Sequence, residues 1–207
     1  MKALIITSSA LGDSSVSNRL AGELIDRLRA QDPSLETIVR DLGSDPVPHL
    51  LPETVSAIRG TPEGEAGREA LALSDTLVAE IQAADVIVIG SPMYNFGIAS
   101  TLKAWFDHVL RAGVTFRYTE AGPEGLVKGK KAVVIETRAG FYSEGPAAAM
   151  DGQEPHLRIL LGFMGIDDVT FVRAEKLAFG PEAASQAIDD AARQLAGLAE
   201  RELALAA

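Results

Sequence analysis

Three stretches of this 207-residue chain gather residue types that can hold a ligand without a metal or a thiol. The first is Ser8-Ser9-Ala10-Leu11-Gly12-Asp13-Ser14-Ser15-Val16-Ser17-Asn18, between an apolar run and a helical pattern. A helix start leaves backbone N–H groups unpaired at the positive end of the dipole, a ready anion site. Ser9, Ser15 and Ser17 add hydroxyls and Asn18 an amide, a neutral donor set suited to a phosphate monoester. The stretch has neither a Walker lysine nor the glycine spacing of a dinucleotide fingerprint. Serine is also a common helix cap, so the loop alone carries either reading. The second stretch is Pro92-Met93-Tyr94-Asn95-Phe96. Its aromatics and methionine make a flat, polarizable wall, and Asn95 can both donate and accept toward a ring edge carrying an imide. Met93 or Phe96 taken singly could equally fill the core. The third is Thr137-Arg138-Ala139-Gly140-Phe141-Tyr142. Small residues at 139 and 140 let backbone amides approach a ligand closely. Phe141 and Tyr142 follow where a lid could close. Arg138 is either part of this site or a surface salt-bridge residue.

These stretches need elements to bring them together. Ala3–Ile6, Val86–Ile89 and Ala132–Ile135 are short runs apolar on both faces, as central parallel strands are. Thr37–Arg40 and Val169–Val172 read as two more strands. Helical spacing appears at Leu20, Leu24, Ile25 and Leu28; at Leu73, Leu77, Val78 and Ile81; at Leu102, Trp105, Phe106 and Val109; and at Ala184, Ile188, Ala191, Leu195 and Leu198. The alternation predicts an α/β fold, an open five-stranded parallel sheet with helices on both faces. Ligands bind such sheets at the carboxyl ends of the strands, near the switch in strand order, and all three stretches follow strands. Residues 42–66, with Pro46, Pro48, Pro52 and Pro62, read as largely loop. Residues 113–129 form a second excursion with an aromatic core, functional or interfacial in a compact domain. Residues 1–207 read as one domain.

Composition excludes several alternatives. Asp and Glu number 29 against 19 Lys and Arg, a formal charge of −10, so nucleic acid and anionic membranes are poor partners. With no cysteine there is no disulfide, zinc-thiolate or iron–sulfur chemistry, and any redox chemistry must sit on an organic cofactor. Lys2 precedes only Ala3–Ile6 before polar residues return, too short for a signal-peptide core, and a cytoplasmic location is expected. His49, His108 and His156 are scattered without ligand spacing, so no metal is expected, and no G-x-S-x-G elbow is present.

Taken together, Ser15-Val16-Ser17-Asn18, Pro92-Met93-Tyr94-Asn95-Phe96 and Thr137-Arg138-Ala139-Gly140 resemble the FMN-dependent NADH-azoreductases, relatives of the NAD(P)H:quinone oxidoreductases. Arg111-Ala112-Gly113-Val114-Thr115-Phe116-Arg117-Tyr118-Thr119 followed by Gly122-Pro123-Glu124-Gly125-Leu126 looks like a family hallmark. The likeness runs from residue 1 to about Leu198. It implies a flavodoxin-like fold and a homodimer with FMN sites at the subunit interface. NADH or NADPH would be the donor and a quinone or azo compound the acceptor. It places the FMN phosphate and ribityl chain on Ser9, Ser15, Val16 and Ser17. The ring would lie on Pro92, Met93, Tyr94, Asn95 and Phe96, with its pyrimidine edge toward Thr137, Arg138, Ala139 and Gly140. Tyr118, Phe141, Tyr142 and Phe163 are the expected lining of the substrate pocket, and the flavin rather than a side chain would carry the hydride. Thr137 and Ala139 stand where a serine and a glycine are common, and Val16 replaces a more polar residue. Tyr142 stands where relatives can carry His. A flavodoxin-type FMN electron carrier is the alternative function, and a flavin-free α/β regulatory or interaction domain a second one.

Overall fold

The three apolar runs form the central strands of one parallel sheet, buried by helices on both faces, and the two further stretches form its less buried edges. The computed structural model describes residues 1–60 and 62–202. In chain order the elements are β1 (Lys2–Thr7), α1 (Val16–Gln31), β2 (Glu36–Asp41), α2 (Pro52–Arg59), α3 (Gly64–Ala83), β3 (Val86–Pro92) and α4 (Ser100–Val109). Then come β4 (Phe116–Thr119), β5 (Gly122–Gly125), β6 (Lys131–Thr137), α5 (Glu154–Met164), β7 (Asp168–Ala174) and α6 (Pro181–Glu202). The sheet runs β2-β1-β3-β6-β7 with every pairing parallel. Strand order reverses direction at β1 and β3, so the ligand-binding crevice of such a sheet lies at their carboxyl ends.

Strand alternation splits the core in two. Leu4, Ile6, Ile87, Ile89 and Val134 face α3, α4 and α5, where Leu77, Ile81, Trp105, Phe106, Leu157 and Leu161 pack. Ala3, Ile5, Val88, Val133, Ile135 and Val172 face α1 and α6, meeting Leu20, Leu24, Leu28, Ala191 and Leu195. Register then fixes the site edge: Thr7 lies beside Gly90, Pro92 beside Thr137, and Thr137 beside Ala174. The strand tips therefore end together. Among the described residues no helix is long and apolar enough to cross a membrane.

The structure departs from the sequence expectation in two places. Residues 42–51, 60, 62 and 63 are loop as expected, but Pro52–Arg59 is a helix with proline in its first turn, where the missing N–H costs nothing, and α3 begins at Gly64. The second departure is α5, a helix between β6 and β7 that the strand-and-helix reading did not include. Its signal is the spacing of buried Leu157, Leu160, Leu161 and Met164 on one face.

The 113–129 excursion is a hairpin, β4 against β5, with Phe116 opposite Gly125 and Thr119 opposite Gly122. Its root is held against the end of α5. Val127 N–H donates to Met164 O at 2.8 Å. A Cβ on Gly125 would fall 2.1 Å from Gly165 N, so the two backbones touch where no side chain fits.

Candidate active site at the strand tips

The loop after β1 folds back over the start of α1. Ser15 is the N-cap of α1, its Oγ accepting from Asn18 N at 3.2 Å and lying 3.0 Å from Ser17 Oγ. Ser9 Oγ accepts from Leu11 N at 3.2 Å. Ser9, Ser15 and Ser17 are all buried. Capping and anion binding are compatible here. The Val16 and Ser17 amides make no hydrogen bond among the described residues, and they stand at the positive end of a 16-residue helix. Buried Asn18 Oδ1 also lacks a partner among the described residues, leaving an acceptor suited to a sugar-alcohol hydroxyl. Gly43, after β2, presses this loop from behind: a Cβ there would sit 2.2 Å from Ser9 O.

The loop after β3 is a two-residue turn. Tyr94 and Gly97 exchange backbone hydrogen bonds at 2.9 and 3.1 Å, and Asn95 and Phe96 between them have φ of 47° and 73°. Asparagine tolerates this left-handed region, whereas phenylalanine there costs about 1 kcal/mol or more. Such strain clusters at ligand clamps. The turn points the Asn95 and Phe96 amides outward with no acceptor among the described residues. Phe96 itself is 44% exposed. Tyr94 links this loop to the first: its hydroxyl accepts from Ala10 N at 3.0 Å. Ser8 Oγ adds a second tie by donating to Gly90 O at 2.9 Å. Met93 N donates to Thr137 O at 2.9 Å, joining the loops after β3 and β6. Beside Tyr94 and Asn95 a cleft of about 410 Å³ opens toward Ser8, Gly43, Ser100 and Thr101.

Past β6, the reading of Arg138 as a surface residue is corrected. Its side chain is 0% exposed. Its amide donates to Ala174 O at 2.9 Å. Nε donates to Gln153 Oε1 at 2.9 Å, Nη1 to Glu175 Oε1 at 3.1 Å and Nη2 to Glu136 Oε2 at 2.8 Å, with Asp151 Oδ2 at 3.0 Å. Arg138 is thus spoken for, and it is the Ala139 and Gly140 amides that carry no partner among the described residues. Their carbonyls accept from Ala178 and Lys176, which fixes the segment.

Four carboxylates, Glu136, Asp151, Glu154 and Glu175, crowd around three guanidiniums, Arg138, Arg158 and Arg173. The acid with least water gives way. Burial, with the charges of Glu154 and Asp151, pushes the Glu136 carboxyl up to about 8 against the opposing pull of Arg138. Glu136 Oε1 has no hydrogen-bond partner among the described residues. At Glu175, burial also pushes upward, but the Ser143 hydroxyl, the Tyr142 amide and Arg138 outweigh it and hold the carboxyl below its ordinary range. The sequence reading missed Glu136, Asp151, Gln153 and Glu175. Each resembles a solvated polar residue taken alone; only Glu136, continuing an apolar strand, offered a signal.

The expected aromatic lining divides into two groups. Phe96 and Tyr142 meet edge to face with centroids 6.0 Å apart. Tyr118 and Phe163 instead gather around Phe116, at 5.5 Å from Tyr118 and 4.5 Å from Phe163. No ring contact joins the groups among the described residues. Tyr118 is 73% exposed at the hairpin.

A flavodoxin-like fold family model matches residues 1–198. The FMN-dependent NADH:quinone oxidoreductase of Hyphomonas neptunium is 53% identical over 197 residues, 95% of each chain. That of Ralstonia nicotianae is 50% identical over 196 residues, covering 92% of this chain and 93% of the relative. Among solved structures, an azoreductase from Bacillus anthracis superposes with a TM-score of 0.88 at 27% identity, covering 96% of this chain and 98% of that one. An FMN-dependent NADH-azoreductase from the same species, in complex with FMN, also reaches 0.88, at 25% identity over 97% of this chain and 98% of that one.

Proposed function

This chain belongs to the flavodoxin-like fold family, and from that premise we propose that it is an FMN-dependent NAD(P)H oxidoreductase reducing quinones and azo compounds. One observation carries the reading. Three pairs of backbone amides without a partner among the described residues, at Val16 and Ser17, Asn95 and Phe96, and Ala139 and Gly140, lie in the segments that follow β1, β3 and β6, whose tips are aligned. A phosphate, a flat ring and an imide edge present complementary acceptors in that sequence.

The residues present fit FMN. The Val16 and Ser17 amides and the Ser9, Ser15 and Ser17 hydroxyls would hold the phosphate through charge-assisted bonds without a lysine. Asn18 Oδ1 would accept from the ribityl chain. Met93, Tyr94 and Phe96 would cover one apolar face, and the Ala139 and Gly140 amides would stabilise negative charge at the pyrimidine edge. Bound there, FMN supplies the two-electron transfer from nicotinamide to acceptor that the side chains lack. The protein's own part is to hold the reactants in line and exclude water, with Phe141 and Tyr142 as the cover. A pocket shared by donor and acceptor gives ping-pong kinetics.

The second aromatic group supports a homodimer with FMN sites at the interface. Exposed Tyr118 and the 66% exposed Ile159 of α5 give the chain apolar surface away from its own Phe96–Tyr142 pair. We place this activity in a single domain, residues 1–207, in the cytoplasm.

The purified protein, supplied with FMN, is expected to bleach an azo dye and to reduce benzoquinone at the expense of NADH, with parallel double-reciprocal lines. No NADH oxidation with either acceptor would refute the reading. Sedimentation equilibrium giving a monomer at micromolar concentration would refute the dimer.

A further inference from the structure

The loops at the strand tips are joined by a closed circuit of contacts, polar except for one pair of rings, that the flavin reading does not itself require. Gln153 Nε2 donates to Ser91 O at 2.7 Å at the end of β3, and its Oε1 accepts from Arg138 at the end of β6. Arg138 donates in turn to Glu175, just past β7. Glu175 then reaches back across the site. Its Oε1 accepts from Tyr142 N at 2.9 Å and Ser143 N at 3.1 Å, and its Oε2 accepts from Ser143 Oγ at 2.5 Å. Tyr142 meets Phe96 edge to face, and Phe96 O accepts from Gly152 N at 2.8 Å, next to Gln153. The circuit is thereby complete.

Its contents are unequal. Arg138 and Gln153 are fully buried, and Glu175 is 9% exposed, whereas Ser143 is exposed and Tyr142 partly so. One end is therefore desolvated, and the other is a short, more exposed segment whose two amides and one hydroxyl all meet the same carboxylate. Without that carboxylate, two adjacent amides would lose their acceptor, and Tyr142 would keep its edge contact with Phe96 and the packing of its ring against Gly140. A hydrogen bond to a charged acceptor in low dielectric is about twice as strong as a neutral one, so the carboxylate dominates the segment's position.

We propose that Glu175 is a positioning residue for the electron acceptor: held by buried Arg138, it grips the backbone of Tyr142 and Ser143 and fixes Tyr142 as one wall of the pocket, setting which planar acceptors fit. The inference rests on the oxidoreductase reading for the identity of the ligand and on the circuit alone for the grip. Glu175 acts through Tyr142, so its removal should alter acceptor binding and leave the phosphate end undisturbed.

The test uses Glu175→Gln and, because that variant could fold poorly, Ser143→Ala at the exposed end. Amide hydrogen exchange on the FMN-loaded protein, with no donor or acceptor present, should speed about tenfold or more at Tyr142 and Ser143 in Glu175→Gln. In steady state, KM for benzoquinone should rise about tenfold in Glu175→Gln and severalfold in Ser143→Ala, matching the loss of one charge-assisted bond. Turnover at saturation and the FMN dissociation constant should stay within twofold. Adding either change to Tyr142→Ala should raise KM no further, since the wall it holds is already gone. Unchanged exchange would overturn the grip. Faster exchange with unchanged KM, or a uniform fall in activity and melting temperature with no KM shift, would overturn the positioning role. Wild-type protein that reduces no quinone or azo compound would instead refute the oxidoreductase reading and the acceptor role with it, leaving the exchange result to decide the grip separately.

Discussion

Replacing Glu136 by glutamine isolates a buried carboxyl whose charge its surroundings oppose. Glutamine has the shape of a neutral glutamic acid and keeps an oxygen for Arg138, but it cannot ionise. Burial raises the Glu136 carboxyl from an ordinary value of 4.5 to about 8. Between those values the folded wild type binds one proton more than the unfolded chain. The stability this group provides is complete below about pH 4.5 and is lost as the pH rises through about 8, at about 1.4 kcal/mol per pH unit. Glu154 and Glu175 have lowered values and slope the other way, but they are common to both proteins and cancel in the difference. From about pH 5.5 to 7.5, the stability of Glu136→Gln minus that of wild type should therefore climb by on the order of 3 kcal/mol. Urea unfolding at several pH values, with matched slopes, reads this difference directly. A difference that is flat with pH would mean Glu136 is ionised in the fold, and the argument from excess carboxylates would fail.

Other perturbations act at the phosphate end. Ser17→Ala should weaken FMN binding about tenfold or more, as loss of one charge-assisted bond predicts, measured by quenching of flavin fluorescence; an unchanged constant rejects Ser17 as a ligand. Gly43→Ala should displace the Ser9 loop, because its Cβ would meet Ser9 O at 2.2 Å. It should cost about 1–3 kcal/mol in chemical denaturation and weaken FMN binding at the same time, and wild-type values for both would show that the loop yields freely.

Much of this architecture was legible before any coordinates. All five sheet strands were readable, the three central ones as apolar runs, since burial on both faces leaves no room for alternation, and the two edge strands β2 and β7 as shorter mixed stretches. Four of the helices showed a 3.6-residue repeat. Residues 52–59 were hidden by proline-rich surroundings, although Pro52 itself favours a helix start. The three candidate stretches were readable because each follows a strand. The circuit around Arg138 was not, because its bonded partners lie up to 62 residues apart, as Gln153 and Ser91 do, and only the fold makes them neighbours. Backbone conformation was equally silent: nothing in the letters of Asn95 and Phe96 announces two successive left-handed residues.

The touching glycines at 125 and 165 bear on how this enzyme can diversify. A protruding aromatic arm would ordinarily be free to lengthen, tilt or slide over generations, retuning whatever its tip meets. Here the arm's base is welded to the scaffold, since neither glycine can acquire a side chain without prising the two apart. Variation is channelled to the tip, around Tyr118 to Gly122, where new residues can appear while the angle of presentation stays constant.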